Sequence, residues 1–353
     1  MKIMLGLISL MCTIAICTVL NLASEVFIPL VIAWFLLQVF RPVIDLGRRI
    51  RLPQMLTVIL VFAVLFGLCV VGIKFCTSQV VAFNHAFTLY YPKLNEITRN
   101  VLQMLQIPPE SMSRINWLDI LGQYLRNISE IALAISSKFV LMLVFLMFML
   151  LEAPYLDYKI DSAFSGHNAT RLKRILTSVS DQISRYLGTL ALISLATGFC
   201  AWVALAAQGV ELAAGWGVLT FLLNFIPTVG SIIATIPPVL MAALQFSPSY
   251  IRPIAVLLSL GVIQITIGNV ITPKVVGDRL GLSPVLILLS LLLWGTIWGV
   301  PGALLSVPIA SIIKIVCENF SSLKPIAVLM GTGKPSFVSE EDRKEEEQEW
   351  RKK

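Results

Sequence analysis

The sequence predicts an all-α polytopic membrane protein, and three observations carry that reading. The 353 residues are 57% hydrophobic and only 13% charged, against about 25% charged in a soluble domain. Mean hydropathy is +0.86. Apolar runs near the ~20 residues needed to cross a bilayer recur along the chain, separated by short polar links. About eight hydrophobic segments result. Two of them are hairpins broken at their tips by Gly and Pro, and together they read as an inverted repeat.

Residues 3–22 form the first apolar run, after Lys2. A second run follows at once and no A-x-A-like cleavage site intervenes, so the run is expected to be an uncleaved span rather than a signal peptide. Residues 26–40 form the second span, with Pro29 expected in its first turn, where proline is tolerated. The loop 41–53 carries Arg41, Arg48, Arg49 and Arg51 against Asp45, which places it in the cytoplasm. Residues 55–76 are the third span, and 1–76 read as a scaffold of membrane spans.

Residues 77–130 are polar, with four bases and four acids. Val101, Leu102, Leu105, Trp117, Leu118, Leu121, Leu125 and Ile128 recur at helical spacing around Pro108-Pro109. That pattern predicts amphipathic helices on the outer membrane surface. Residues 131–151 run inward as the fourth span. In 152–185, Leu172, Ile175, Leu176, Val179 and Ile183 alternate with Arg171, Lys173, Arg174 and Arg185. This is a basic amphipathic helix, lying on the cytoplasmic face or docked on protein; 131–186 are taken as one region. Residues 187–320 then hold two spans, 187–208 and 251–272, each followed by a hairpin (211–245 and 280–316). Residues 321–353 are a charged cytoplasmic tail.

The tail compresses the charge balance. The formal net charge is +7, but the seven acids and five bases of residues 340–353 leave 22 bases and 13 acids elsewhere. Basic residues scattered at span ends mark cytoplasmic loops rather than nucleic-acid binding. Both termini are accordingly expected in the cytoplasm. The six cysteines lie in or beside apolar runs without Cys-x-x-Cys spacing, and His85 and His167 are far apart, so no metal site is expected. H-E-x-x-H and G-x-S-x-G are absent. Gly331-Thr-Gly-Lys334 ends in Pro335 where a P-loop needs Ser or Thr. Neither an enzyme nor an ATP-driven motor is read here, and no cofactor is expected.

Short Gly/Pro-interrupted apolar segments at corresponding places in two halves point to a transporter binding site. Lipid cannot satisfy the backbone groups freed at such breaks. The first tip reads Asn224-Phe-Ile-Pro227-Thr228-Val-Gly230-Ser231. Pro227 removes a donor, Gly230 permits positive φ, and Ser231 suits a helix cap. Asn224 and Thr228 offer polar groups in an apolar setting, for a solute or for neighbouring backbone. The inward span carries Gln264, Thr266 and Asn269, then Thr272; Gln264 and Asn269 are expensive in lipid and are expected to face the bundle, for a solute or for interhelical hydrogen bonds. The second tip reads Trp294-Gly295-Thr-Ile-Trp298-Gly299-Val-Pro301-Gly302. Its two Trp side chains share a helical face, and Gly295, Gly299 and Gly302 allow close backbone approach. The substrate-contact candidates are therefore Asn224, Thr228, Gln264, Asn269 and Thr272. The gating candidates are Pro227, Gly230, Ser231, Gly295, Trp298, Gly299, Pro301 and Gly302. If the tips move, Gly302→Val should assemble without transporting; static packing predicts loss of the folded protein.

Pro-Thr-Val-Gly-Ser at 227–231, the Gly-Asn-x-Ile-x-Pro block at 268–273, Arg279-Leu-Gly-Leu-Ser-Pro284 and Trp-Gly-x-x-Trp-Gly-x-x-Gly at 294–302 resemble the autoinducer-2 exporter family, also called PerM-like permeases. Their order and spacing match over some 90 residues. The resemblance implies a multi-span bacterial inner-membrane protein that exports a small solute. It also implies a homo-oligomer, with a pentameric ring among the arrangements. Some members resemble cation/proton antiporters. The spans in 187–317 hold no deeply placed Asp or Glu, which weighs against a proton carrier, although backbone carbonyls at broken helices can coordinate Na⁺.

Overall fold

A computed structural model describes residues 2–104, 138–164, 166–226, 229–272, 281–320 and 323–332. Among them the chain is helical almost throughout. Six helices are long and apolar enough to cross a membrane, and two shorter apolar helices accompany them. We number the helices α1 (Lys2–Leu22), α2 (Ser24–Arg49), α3 (Gln54–Met104), α4 (Lys138–Ala163, through a 3₁₀ turn at Ala153–Tyr155), α5 (His167–Ala207), α6 (Ala213–Leu223), α7 (Val229–Gln245), α8 (Ile251–Ile265), α9 (Pro284–Asn319) and α10 (Lys324–Met330).

Several helices run further than their apolar cores. α2 begins at Ser24, so Pro29 lies inside it rather than in its first turn. The same helix continues through Arg49, which shrinks the basic loop to a tight turn with Arg51 at φ 55°. α3 has 51 residues, about 77 Å at 1.5 Å per residue. That is more than twice the ~30 Å hydrocarbon core. The third span and residues 77–104 are thus one rod, not a span followed by a separate surface helix. The rest of the predicted outer segment, from Leu105, lies outside the described residues. α5 likewise joins the basic amphipathic stretch to the fifth span in 41 residues. On its first half Ile175, Val179 and Ile183 are buried, so this face packs on protein.

The chain divides into two compact units. One comprises the described residues within 1–22, 157–183 and 277–353; the other those within 23–156 and 184–276. The second unit has two apolar cores. Ala33, Val61, Leu65, Met142, Leu146 and Leu150 pack α2, α3 and α4 together, and Gln54 donates its amide to the Leu150 and Leu151 carbonyls (3.1 and 3.0 Å). Ala86, Tyr90, Ala201, Leu205, Val210, Ala213, Met241, Ala242, Val256 and Leu260 join α3, α5, α6, α7 and α8. A polar seam closes over this core. Tyr90 donates to the Glu211 carboxylate (2.9 Å), the Glu211 N–H to Gln245 (2.9 Å), and the Gln245 amide to the Gly209 carbonyl (2.8 Å).

In the first unit α9 is the centre. Half of its most apolar stretch is buried, against 17% for α3. That contrast marks α9 as enclosed by protein and α3 as mostly facing outward. Arg171, on α5, donates to the Asn319 carbonyl at the end of α9 and lies over the Phe320 ring at 4.7 Å.

Candidate functional site: two broken hairpins

The first hairpin, in the second unit, has arms α6 and α7 of 11 and 17 residues, both short of the ~20 that span a bilayer. Pro227 has no N–H, so the Leu223 carbonyl four residues earlier loses its helical donor. The turn compensates: the Ile226 N–H reaches that carbonyl at 2.9 Å, and the Gly230 N–H reaches the Ile226 carbonyl at 3.1 Å. Gly230 is required for contact rather than for positive φ. It sits in the first turn of α7, and a Cβ there would overlap the Leu223 carbonyl. Ser231 lies within the helix, not at its cap. Pro227 and Thr228 lie outside the described residues.

Asn224 donates to the Ser194 hydroxyl at 3.0 Å. Ser194 is fully buried on α5. α6 lies close to α5 because two glycines face each other. A Cβ at Gly198 would stand 2.7 Å from the Gly217 carbonyl, and one at Gly217 2.9 Å from the Gly198 carbonyl. The sequence reading overlooked Gly198, Gly217 and Ser194. A glycine in each of two consecutive apolar segments was the available signal, since small residues let membrane helices approach.

Past α8 the helix winds into a π turn, Thr266–Ile271. π turns are rare and collect at functional sites. This one contains Asn269, whose side chain is outside the described set. It follows half-buried Gln264 and ends at Thr272, whose hydroxyl donates to the Ile267 carbonyl at 2.7 Å. The polar cluster of the inward span therefore coincides with a local change of helical winding. Among the described residues, no hydrogen bond links Asn224 to Gln264.

The second hairpin lies in the first unit. α9 opens with Ser283 capping the Leu286 N–H (3.1 Å) and Pro284 in the first turn. It reverses at Gly299, whose φ of 64° and ψ of −140° are non-helical. Here glycine is demanded by conformation. Gly302 is demanded by contact, because a Cβ would overlap the Trp294 carbonyl. Gly295 is not needed for close approach; its nearest neighbour would be the Ala303 Cβ at 3.9 Å. The arms are tied by Ser290, which donates to the Ser306 carbonyl at 2.8 Å with both residues buried. The Trp294 and Trp298 rings lie 4.9 Å apart. Trp298 is buried, and its indole N–H donates to the Leu20 carbonyl of α1 at 3.0 Å.

The two hairpins thus solve one problem alike. In each, the entering arm ends just before a proline that has no N–H to offer its last carbonyls, and a glycine on the returning arm seats against a carbonyl of the entering arm. Such backbone can face protein or an aqueous cavity, but not lipid.

Residues 8–322 match the profile described as the AI-2E family transporter. The chain is 31% identical over 340 residues to TqsA of Escherichia coli K12, named an AI-2 transport protein, covering 93% of this chain and 94% of that one. It is 31% identical to YhhT of the same organism, covering 95% of each. A Borreliella burgdorferi protein named as a candidate transport protein is 31% identical over 311 residues, covering 88% of this chain and 86% of that one.

Proposed function

Because the chain belongs to the AI-2E transporter family, which is a transporter family and not an enzyme family, we propose that it exports a small, polar, mostly uncharged solute by alternating access across a bacterial inner membrane. The observation that carries this reading is the pair of broken hairpins: Leu223, Pro227 and Gly230 in one, Ile297, Pro301 and Gly302 in the other. Span 187–208 with the first hairpin and span 251–272 with the second then form an inverted repeat, with both termini cytoplasmic. The short arms of the first hairpin support a re-entrant hairpin there. Asn224, Thr228, Gln264, Asn269 and Thr272 supply the amides and hydroxyls of the solute path. TqsA's name supports a solute of the autoinducer-2 kind. The working unit in this reading is a homo-oligomer.

Flux in proteoliposomes tests the proposal. We expect a small, polar, uncharged solute to move, and to move faster under one imposed ion gradient. Li⁺ or Na⁺ exchange for H⁺ without solute movement would make the protein a cation antiporter. No flux under any gradient would leave a membrane scaffold.

A further inference from the structure

We propose that the end of α1 is part of the second hairpin's tip, and that Asn21 is a positioning residue holding that tip. The proposal rests on the reading of the hairpins as the solute path. The chain breaks at Gly299, so the Ile297 carbonyl lies in the last turn of the entering arm, where a helix leaves carbonyls without regular donors, and Pro301 beyond the break brings no N–H. Asn21 supplies one: its side-chain amide donates to that carbonyl at 2.8 Å across 276 positions of sequence. The exchange is mutual. The Leu20 carbonyl is among the last four of α1, which a helix leaves without internal donors. Trp298 donates its indole N–H to it at 3.0 Å.

Two orphan carbonyls, one at each broken end, are therefore satisfied by side chains from opposite partners. The first hairpin handles its equivalent carbonyl locally, through the Ile226 N–H, whereas the second borrows a donor from α1. Trp298 lies beside the Gly299 reversal and against Trp294. Its anchoring to Leu20 fixes the aromatic pair as well as the backbone. Asn21 itself is exposed on the surface of this unit. Replacing it removes a donor without opening a cavity, so the effect falls on the tip rather than on the core. The tip and the end of α1 then travel as one piece.

The test uses the full chain with its native cysteines replaced, carrying Asn21→Cys and Ile297→Cys. In native membranes a short bis-methanethiosulfonate, which forms a disulfide with each thiol and releases sulfinate, should link the pair in high yield, and the linked protein should keep flux within about twofold of the form released by reductant. Asn21→Leu should lower flux about tenfold while oligomer yield is unchanged, and Asn21→Gln should recover most of the loss. No cross-link overturns the attachment. A cross-link that abolishes flux reversibly shows that the tip must leave α1, and overturns the shared movement. Normal flux in Asn21→Leu overturns the positioning role. Linking is scored whether or not flux is detected, so a double-cysteine chain that links while the parent chain moves no solute overturns the transport reading alone.

Discussion

Gly302 seats against the main-chain carbonyl of Trp294 so closely that any side chain at 302 would overlap the oxygen. Gly230 and Leu223 stand in the same relation in the first hairpin. The obstacle is backbone, which cannot rotate aside as a flexible side chain would. We therefore expect Gly302→Val to reduce the yield of folded oligomer, beyond the 1–3 kcal/mol typical of core overpacking. Gly295→Ala has an ordinary van der Waals neighbour at 3.9 Å and should keep both yield and flux. Size-exclusion yield and flux, measured on one preparation of each variant, check the pair. A well-folded Gly302→Val would show that the tip relaxes away from Trp294.

This outcome separates what could be read in the sequence from what could not. Pro227, Pro301, Gly299 and the shortness of the arms are local signals, and they located both tips. Helix lengths were harder. Residues 77–104 and 167–186 are polar enough to look like separate surface elements, yet each stays in one helix with its apolar neighbour, α3 even through Pro92. The partners of the tips were not legible at all. Asn21 lies 276 positions from Ile297, and nothing in the local pattern of α1 distinguishes it from any amide at a span end. Ser194 is equally anonymous on α5. Gly230 was found for the wrong reason: pattern marks a glycine at a turn, but only packing tells whether conformation or contact requires it.

Asn224 can be resolved by comparing it with its partner. Its amide donates to buried Ser194 at 3.0 Å, and such a bond contributes about 0.6 kcal/mol on average within a membrane. Both Asn224→Ala and Ser194→Ala should therefore assemble. If the amide also meets solute, Asn224→Ala should lower flux several-fold more than Ser194→Ala does. Equal effects, with no further loss in the double variant, would assign Asn224 to packing alone.

Thr272 closes the π turn by donating to the Ile267 carbonyl at 2.7 Å. Its hydroxyl proton is already engaged, leaving the oxygen lone pairs for any solute. Thr272→Val keeps the shape and removes the bond; Thr272→Ser keeps the bond. We expect unchanged yield in both, with flux reduced in Thr272→Val and near the parent in Thr272→Ser. Equal flux in the two would remove the hydroxyl from the mechanism.

The length of α3 turns the orientation of the protein into a two-residue measurement. Arg49 ends α2 just before the turn into α3, and Arg99 lies near the far end of α3; both are exposed. A rod of about 77 Å that crosses a ~30 Å core must emerge from it at one end at least. The basic turn beside Arg49 favours the cytoplasm. In a cysteine-free chain, Arg49→Cys should then react with an impermeant maleimide only from the cytoplasmic side, and Arg99→Cys only from the outside. The opposite pattern would invert the protein and exchange the sides from which the two hairpins enter. Labelling of both from one face would mean that α3 does not cross the membrane, and would remove the opposed orientation on which the inverted repeat depends.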